Sequence, residues 1–149
     1  MIRRFGFEDE MHQSLACVPM AVRRKLDRAG VKISLKQWQA LAHHERAAVC
    51  HLPAEDEEER ATLRDFLAGA LAARQAGATK PLPAAEISAA DPPDEPPARL
   101  IDNARAAGVT IGAGEWSRLD ADERYALIKL GGGAERSHNF MAALKELIG

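Results

Sequence analysis

The sequence uses one stretch twice, as AGVKISLKQWQAL at 29–41 and as AGVTIGAGEWSRL at 107–119. The two copies are offset by 78 residues, and over 24 aligned positions ten residues are identical without a gap. Both tryptophans of the chain, Trp38 and Trp116, belong to this stretch. Self-similarity at a fixed offset is typical of a structural repeat, so the chain is predicted to contain two related units.

Each copy carries the signals of a helix, a tight turn and two further helices. Gly30 is expected to end the first helix as a left-handed residue. Capping boxes are indicated at Ser34 with Gln37 and at Asp120 with Glu123. The tryptophans are interpreted as hydrophobic staples that fix the angle at which a short helix begins. Stacking of a ligand on the tryptophans is the less favoured interpretation.

These signals predict an all-α fold. Two pseudo-twofold-related copies of a multi-helix unit (helix, Gly-Val-x-Ile turn, Trp helix, helix) are joined by a proline-rich linker. We expect one helical domain over 1–149, with the internal repeat at 19–76 and 98–148 and the linker at 78–97. Because the linker holds six prolines and few large apolar residues, it is expected to be extended or wrapped along the surface.

The ends of the chain and its composition are ordinary for a cytoplasmic protein. Phe5 and Phe7 are expected on the same side of a short extended N-terminal tail, because strand side chains alternate. Hydrophobic residues make up 46% of the chain, yet no apolar run approaches the roughly 20 residues of a membrane span. Cys17 and Cys50 form no disulfide framework and are expected to be buried thiols.

Charge is distributed unevenly along the chain, which has a net charge of −2. Residues 1–53 carry nine Lys or Arg against five Asp or Glu, whereas residues 54–98 carry four against ten. This basic excess suits an acidic partner surface or the solvated face of a helix, and it is modest for nucleic-acid binding. Its members are Arg23, Arg24, Lys25, Arg28, Lys32 and Lys36.

No motif for catalysis or metal binding stands out. Adjacent pairs such as His43-His44 and Cys50-His51 point to different sides of a helix, so they cannot chelate one ion together. The chain has no G-x-S-x-G sequence, and its glycine triplet at 131–133 lacks the lysine of a phosphate-binding loop. We therefore predict a protein that is not an enzyme and that holds no metal or cofactor.

Three segments resemble the nitrate reductase-associated protein family. They are FGFEDEMHQSLACVPMAVRRKLDRAGVKISLKQW at 5–38, RYALIKL at 124–130 and HNFMAALKEL at 138–147, which together cover roughly half of the chain. The resemblance is most specific in the Phe-x-Phe-Glu start and in the Ser-Leu-x-Cys-x-Pro-Met-x-Val-Arg-x-Lys-Leu-Asp run. The glycines at 131–133 depart from the more polar linker that the family would have there.

The resemblance implies a small, non-catalytic accessory protein of nitrate assimilation. It would support the assembly, production or activity of cytoplasmic assimilatory nitrate reductase, by contact with that enzyme or its assembly factors and without nucleic acid or membrane. The family supplies no catalytic residues to transfer. The candidate partner-binding residues lie where the copies differ: Cys17, Pro19, Met20, Arg23, Lys25, Asp27, His138 and Asn139. The alternative is a small-molecule or metal sensor in the same pathway, which the histidines and thiols would serve.

Overall fold

A computed structural model describes residues 2–134 and 137–149, and this part of the chain is mostly helical. The helical prediction is therefore confirmed in its coarser form. The chain divides into two compact units, Met1–Ala90 and Asp91–Gly149, with the boundary inside the predicted linker. The pseudo-twofold relation between the copies stays a prediction.

The repeat is visible in the bounds of the helices. The first unit contains a 3-10 turn (Gly6–Glu8), α1 (Asp9–Ser14), α2 (Met20–Arg28), β1 (Val31–Lys32), α3 (Leu35–Ala40), α4 (His43–His51), α5 (Glu57–Ala73), β2 (Lys80–Pro81) and α6 (Ala84–Ala89). The second unit contains α7 (Ala98–Ala106), α8 (Ala113–Arg118), α9 (Ala121–Gly131) and α10 (Phe140–Leu147). Helices α7 and α8 begin and end 78 residues after α2 and α3, so the sequence offset is also the offset of the secondary structure.

The local signals at the helix ends are confirmed. Gly30 and Gly108 both have positive φ, +76° and +85°, and each follows the first helix of its copy. The Ser34 hydroxyl accepts the Gln37 N–H at 3.0 Å, while the Gln37 side chain accepts the Ser34 N–H at 2.9 Å. The same reciprocal box joins Asp120 to Glu123. These contacts span three residues, which is why sequence spacing alone indicates them.

The N-terminal segment differs from the expected extended tail. Phe5 has extended backbone, and directly after it the chain turns into the 3-10 segment and α1. The Phe5 and Phe7 rings then stack with centroids 5.2 Å apart, and Phe5 is fully buried. The two aromatics therefore meet through a turn, and the alternation argument for a strand was wrong here.

The predicted linker is also more structured than its proline content suggests. Residues Lys80–Pro81 form β2, which pairs antiparallel with β1, and Ala84–Ala89 form α6. Proline fixes its own φ and does not prevent the residues after it from starting a helix, so Pro83 serves as the residue preceding α6. The expectation of an extended linker is wrong over this helix.

Each unit has its own apolar core. In the first unit, the core is centred on the large buried side chains Trp38, Leu41, Leu63, Leu67 and Leu71. In the second unit, the large buried side chains are Leu100, Trp116, Leu127, Phe140 and Leu144. Both tryptophans are 0% exposed, so neither indole face is available for stacking on a ligand.

Candidate functional site

The candidate residues of the first copy begin in the loop between α1 and α2. Leu15 ends α1 with a positive φ of 53°, a conformation that non-glycine residues rarely adopt. Its carbonyl oxygen accepts two hydrogen bonds, from Trp38 Nε1 at 2.7 Å and from Arg46 Nη1 at 2.8 Å. Gln39 Nε2 donates to the next carbonyl, that of Ala16, at 3.2 Å. Side chains of α3 and α4 thus fix the backbone that leads to Cys17.

The start of α2 is held by a carboxylate from the N-terminal segment. Pro19 is the N-cap of α2, one residue before the first helical position that proline usually favours. Glu8, only 2% exposed, accepts the Met20 N–H through Oε2 at 2.9 Å. A negative charge at the N-terminus of a helix satisfies a free N–H and opposes the positive end of the helix dipole. Pro19 and Met20 are both buried, so their place in the family motif has a structural explanation.

Lys25 binds the C-terminal end of α4. Its ammonium donates to three carbonyl oxygens at the end of α4: those of Val49, Cys50 (3.1 Å) and Leu52 (2.6 Å). The last carbonyls of a helix have no partner within the helix, and a cation there also opposes the negative end of the dipole. The interpretation that Lys25 belongs to a solvated helix face is therefore wrong.

The second copy makes the same two kinds of contact at the same offset. Trp116 Nε1 donates to the carbonyl of Pro93 at 3.1 Å, and Pro93 stands 78 residues after Leu15. Asn103, which stands 78 residues after Lys25, donates through Nδ2 to the carbonyl of Gly131 at 2.7 Å, at the end of α9. The repeat therefore includes long-range contacts that sequence identity does not show, because a lysine and an asparagine perform one role.

The other basic side chains of the first copy separate into two groups. Arg24 donates through Nε to the carbonyl of Ala90 at 2.8 Å, and Arg28 lies 3.6 Å from the carboxylate of Glu55. Both are half-buried. The exposed members of the basic excess are Arg23, Lys32 and Lys36. The solvated-face interpretation of the basic excess therefore holds for only part of it.

The two cysteines have different environments. Cys17 is exposed, which contradicts the expectation that both thiols are buried, whereas Cys50 is buried. Cys17 follows the left-handed Leu15, and the chain stays at the surface there until Pro19 turns it inward. Burial raises the pKa of the Cys50 thiol, so this side chain is a poor nucleophile.

The remaining candidates occupy less distinctive positions. Asp27 is half-buried on α2. In the second unit, His138 is exposed and Asn139 is half-buried, and both precede α10, which starts at Phe140. The carbonyl of Asn139 accepts the Ala143 N–H at 3.0 Å within the first turn of that helix.

Sequence reasoning missed Glu8 and Arg46 as organising residues of this region. The signal for Arg46 was present, because Arg124 is identical to it in the alignment of the copies. Arg124, however, lies over the Trp116 ring at 5.6 Å and donates to the Trp116 carbonyl at 3.2 Å. An identical residue in a repeat thus need not make an identical contact.

The described residues also bear on metal binding and on membrane spanning. No group of three His, Cys, Asp or Glu side chains among residues 2–134 and 137–149 lies close enough to hold a metal ion. Burial and the nearby charge of Arg4 lower the pKa of His12, whose ring lies 3.9 Å from Glu8. Within the same residues, every helix is too short or too polar to span a bilayer.

Comparison with known proteins gives a family for the whole region just described. A comparison with the curated proteins finds no match, and neither does a comparison with the solved structures. The family model described as conserved nitrate reductase-associated protein matches residues 4–147 and so includes both copies of the repeat. The chain belongs to the conserved nitrate reductase-associated protein family.

Proposed function

We propose that the protein is a non-catalytic accessory protein of nitrate assimilation. In this proposal it supports the assembly, production or activity of the assimilatory nitrate reductase in the cytoplasm, through contact with the enzyme or with its assembly factors. The observation that carries the proposal is the family match over residues 4–147, since the family is described by its association with nitrate reductase.

The proposed contact surface is the exposed part of the first copy. Leu35 is 51% exposed, and two exposed lysines, Lys32 and Lys36, flank it in sequence. The second copy has Thr110 in place of Lys32, Ala113 in place of Leu35 and Gly114 in place of Lys36. An exposed apolar residue among cations suits a protein partner with an acidic rim.

Arg23 and Cys17 extend this proposed surface toward α2. Both are exposed and both belong to the candidate set, whereas Pro19, Met20 and Lys25 are used to hold helix ends. Substitution of Arg23 alone, and not of Lys25, is therefore the suitable test of partner binding. His138 and Asn139 form a second candidate region, which single substitutions test separately.

The proposal is tested by deleting the gene and growing cells with nitrate as the only nitrogen source. We expect slower growth on nitrate, normal growth on ammonium and reduced nitrate reductase activity in extracts. Measuring the amount of reductase separates two cases: a lower amount indicates a role in production, and an unchanged amount with lower activity indicates assembly or activation. Unimpaired growth on nitrate with full reductase activity would contradict the proposal.

Complementation then tests the surface. The deletion strain receives Leu35→Ser or, as a matched control, Met141→Ser, since Met141 is 52% exposed and lies in the second copy. We expect the control to restore reductase activity and Leu35→Ser to restore it only in part. Equal restoration by both variants would remove the α3 face from the proposed surface.

A further inference from the structure

A segment of the predicted linker covers one face of the first copy. We call residues 80–90, with β2 and α6, the strap. The strap pairs its β2 with β1 so that Val31 lies opposite Pro81 and Lys32 opposite Lys80. The Leu82 N–H extends this pairing by donating to the Gly30 carbonyl at 3.1 Å. The backbone after α2 is thereby used as the edge of a small sheet.

Helix α6 then lies over the end of α2. A Cβ atom added to Gly30 would lie 3.2 Å from Cδ1 of Ile87, so the Ile87 side chain rests directly on the glycine. Arg24 donates to the carbonyl of Ala90 at the end of α6. Backbone pairing, one aliphatic side chain over a glycine and one polar contact thus hold the strap on the first copy.

The same face of the second copy is uncovered. Apart from Gly108 itself and its two chain neighbours, no heavy atom of the described residues lies within 4 Å of a Cβ added to Gly108, and Val109 and Thr110 belong to no strand in that part of the chain. On α7, Arg99, Asp102 and Arg105 are exposed. The positions on α2 that correspond to these three are Ala21, which is buried, and Arg24 and Asp27, which are half-buried.

We propose that this uncovered face, Gly108–Thr110 with the exposed side of α7, is a docking site for a strap-like segment of a partner protein. The segment pairs in extended form with the Gly108 carbonyl and with Thr110, because the Val109 N–H already donates to the Ala104 carbonyl at 2.9 Å. It then turns into a short helix that places one aliphatic side chain over Gly108. Addition of a strand to a free backbone edge is a general mode of peptide recognition.

One carboxylate of this face, that of Asp102, which lies in sequence between the exposed arginines Arg99 and Arg105, defines the segment further. Asp102 stands where Arg24 binds the carbonyl end of α6 in the first copy. A carboxylate cannot donate to a carbonyl, and it attracts a cation instead. The partner segment therefore carries a lysine or arginine at the end of its short helix, where this chain has Asp91 directly after the strap.

The strap sequence supplies the probe. The first peptide is residues 78–91, ATKPLPAAEISAAD, with a fluorescent label, and the second carries Asp91→Lys. Binding to the full chain is measured by fluorescence polarisation. We expect saturable binding of the Lys peptide, weakened about fivefold or more by Thr110→Pro, because proline removes one main-chain donor. The control Thr110→Val keeps that donor and is expected to change the affinity less than about twofold.

A second variant keeps the test independent of any folding defect in Thr110→Pro. Asp102→Arg changes an exposed helix residue and restores the donor of Arg24, so it should reverse the preference and favour the unsubstituted peptide. Absence of saturable binding, or unchanged preference in Asp102→Arg, would overturn the proposal. A concentration-dependent dimer that Thr110→Pro abolishes and Thr110→Val keeps would show that a second copy's strap fills the site, which also overturns the assignment to a partner protein.

Discussion

The two copies of the repeat keep their internal contacts and differ at their surfaces. In each copy an indole N–H donates to the carbonyl of the residue 23 positions earlier, and a side chain of the first helix donates to carbonyls at the end of the third. The first copy adds Leu35, the strap and three exposed cations (Arg23, Lys32 and Lys36) whose positions carry no cation in the second copy. The shared part is therefore interpreted as scaffold and the unshared part as the place to look for function.

The comparison also shows how two residues can replace one another. Lys25 satisfies the carbonyls of Val49, Cys50 and Leu52 with a charged group, whereas Asn103 satisfies those of Gly131 and Gly133 with a neutral amide. Both side chains end in a nitrogen that donates more than one hydrogen bond. Chemical role is thus better preserved between the copies than residue identity.

Removal of either tryptophan gives the largest expected effect. Trp38→Ala and Trp116→Ala each leave a large cavity and an unpaired carbonyl, so each should lower the free energy of unfolding by about 3–5 kcal/mol. Urea denaturation followed by circular dichroism measures this loss. A loss below about 1 kcal/mol at one tryptophan would show that the two tryptophans do not have equivalent structural roles.

The helix-end contacts should give a smaller and unequal effect. Lys25→Met removes charge-assisted hydrogen bonds and should cost about 2–3 kcal/mol, whereas Asn103→Leu removes neutral ones and should cost about 1 kcal/mol. The same denaturation experiment checks both values. Arg23→Met is the control, because substitution of an exposed residue usually changes stability by less than about 0.5 kcal/mol. Equal costs at Arg23 and Lys25 would contradict the role given to Lys25.

The two glycines separate the effect of the strap from that of backbone strain. Gly108→Ala places a Cβ on a residue with positive φ and should cost about 1–2 kcal/mol. Gly30→Ala should cost more, because its Cβ also displaces Ile87. In a double-mutant cycle, Ile87→Ala should couple to Gly30→Ala and add independently to Gly108→Ala. Coupling of Ile87 to Gly108 would show that the strap lies elsewhere than described.

A pH dependence at Glu45 is the smallest expected difference. The N–H of Ala42 and then the side chain of Arg74, 2.6 Å away, hold the pKa of Glu45 below its ordinary value of 4.5. A lowered pKa in the folded state stabilises the protein above about pH 4.5, and this stabilisation is lost as the pH falls through the folded-state pKa. Glu45→Gln should therefore be less stable than the wild type at pH 7, by under about 1 kcal/mol for so exposed a pair.

The measurement is urea denaturation of both proteins between pH 3 and pH 7. The difference between them should narrow below about pH 4.5, as Glu45 gains a proton and comes to resemble the glutamine. Gln37 shows that a glutamine three residues after the N-cap can accept the N-cap N–H, so the variant can keep the contact that Glu45 makes with Ala42. A difference that is constant with pH would mean that the charge of Glu45 contributes nothing.

The sequence predicted what depends on neighbouring residues. The capping boxes, the left-handed glycines and the helix order all follow from spacings of a few residues, and these predictions were confirmed at Ser34, Gly30 and Asp120. The contacts of Lys25, Trp38 and Glu8 were not predicted, because each joins residues 12 or more apart along the chain. The route of the strap was missed for the same reason.

The partner-binding role of Cys17, Pro19 and Met20 stays a prediction. Sequence could not tell which of these positions are buried and which are exposed. Cys17 is exposed because the left-handed Leu15 redirects the chain, and that conformation is imposed by partners on α3 and α4. Arg23 and Lys25 are two residues apart on one helix, yet one is exposed and the other caps α4.

The central claim is that the exposed, unshared part of the first copy binds the partner while the shared contacts only hold the fold. Its most direct test is the affinity of purified nitrate reductase for the wild-type chain, Arg23→Glu and the control Arg118→Glu, since Arg118 is an equally charged, exposed residue of the second copy. We predict that Arg23→Glu weakens binding about fivefold or more and that Arg118→Glu changes it less than about twofold. Equal affinities for all three proteins, or equal losses in both variants, would contradict the claim.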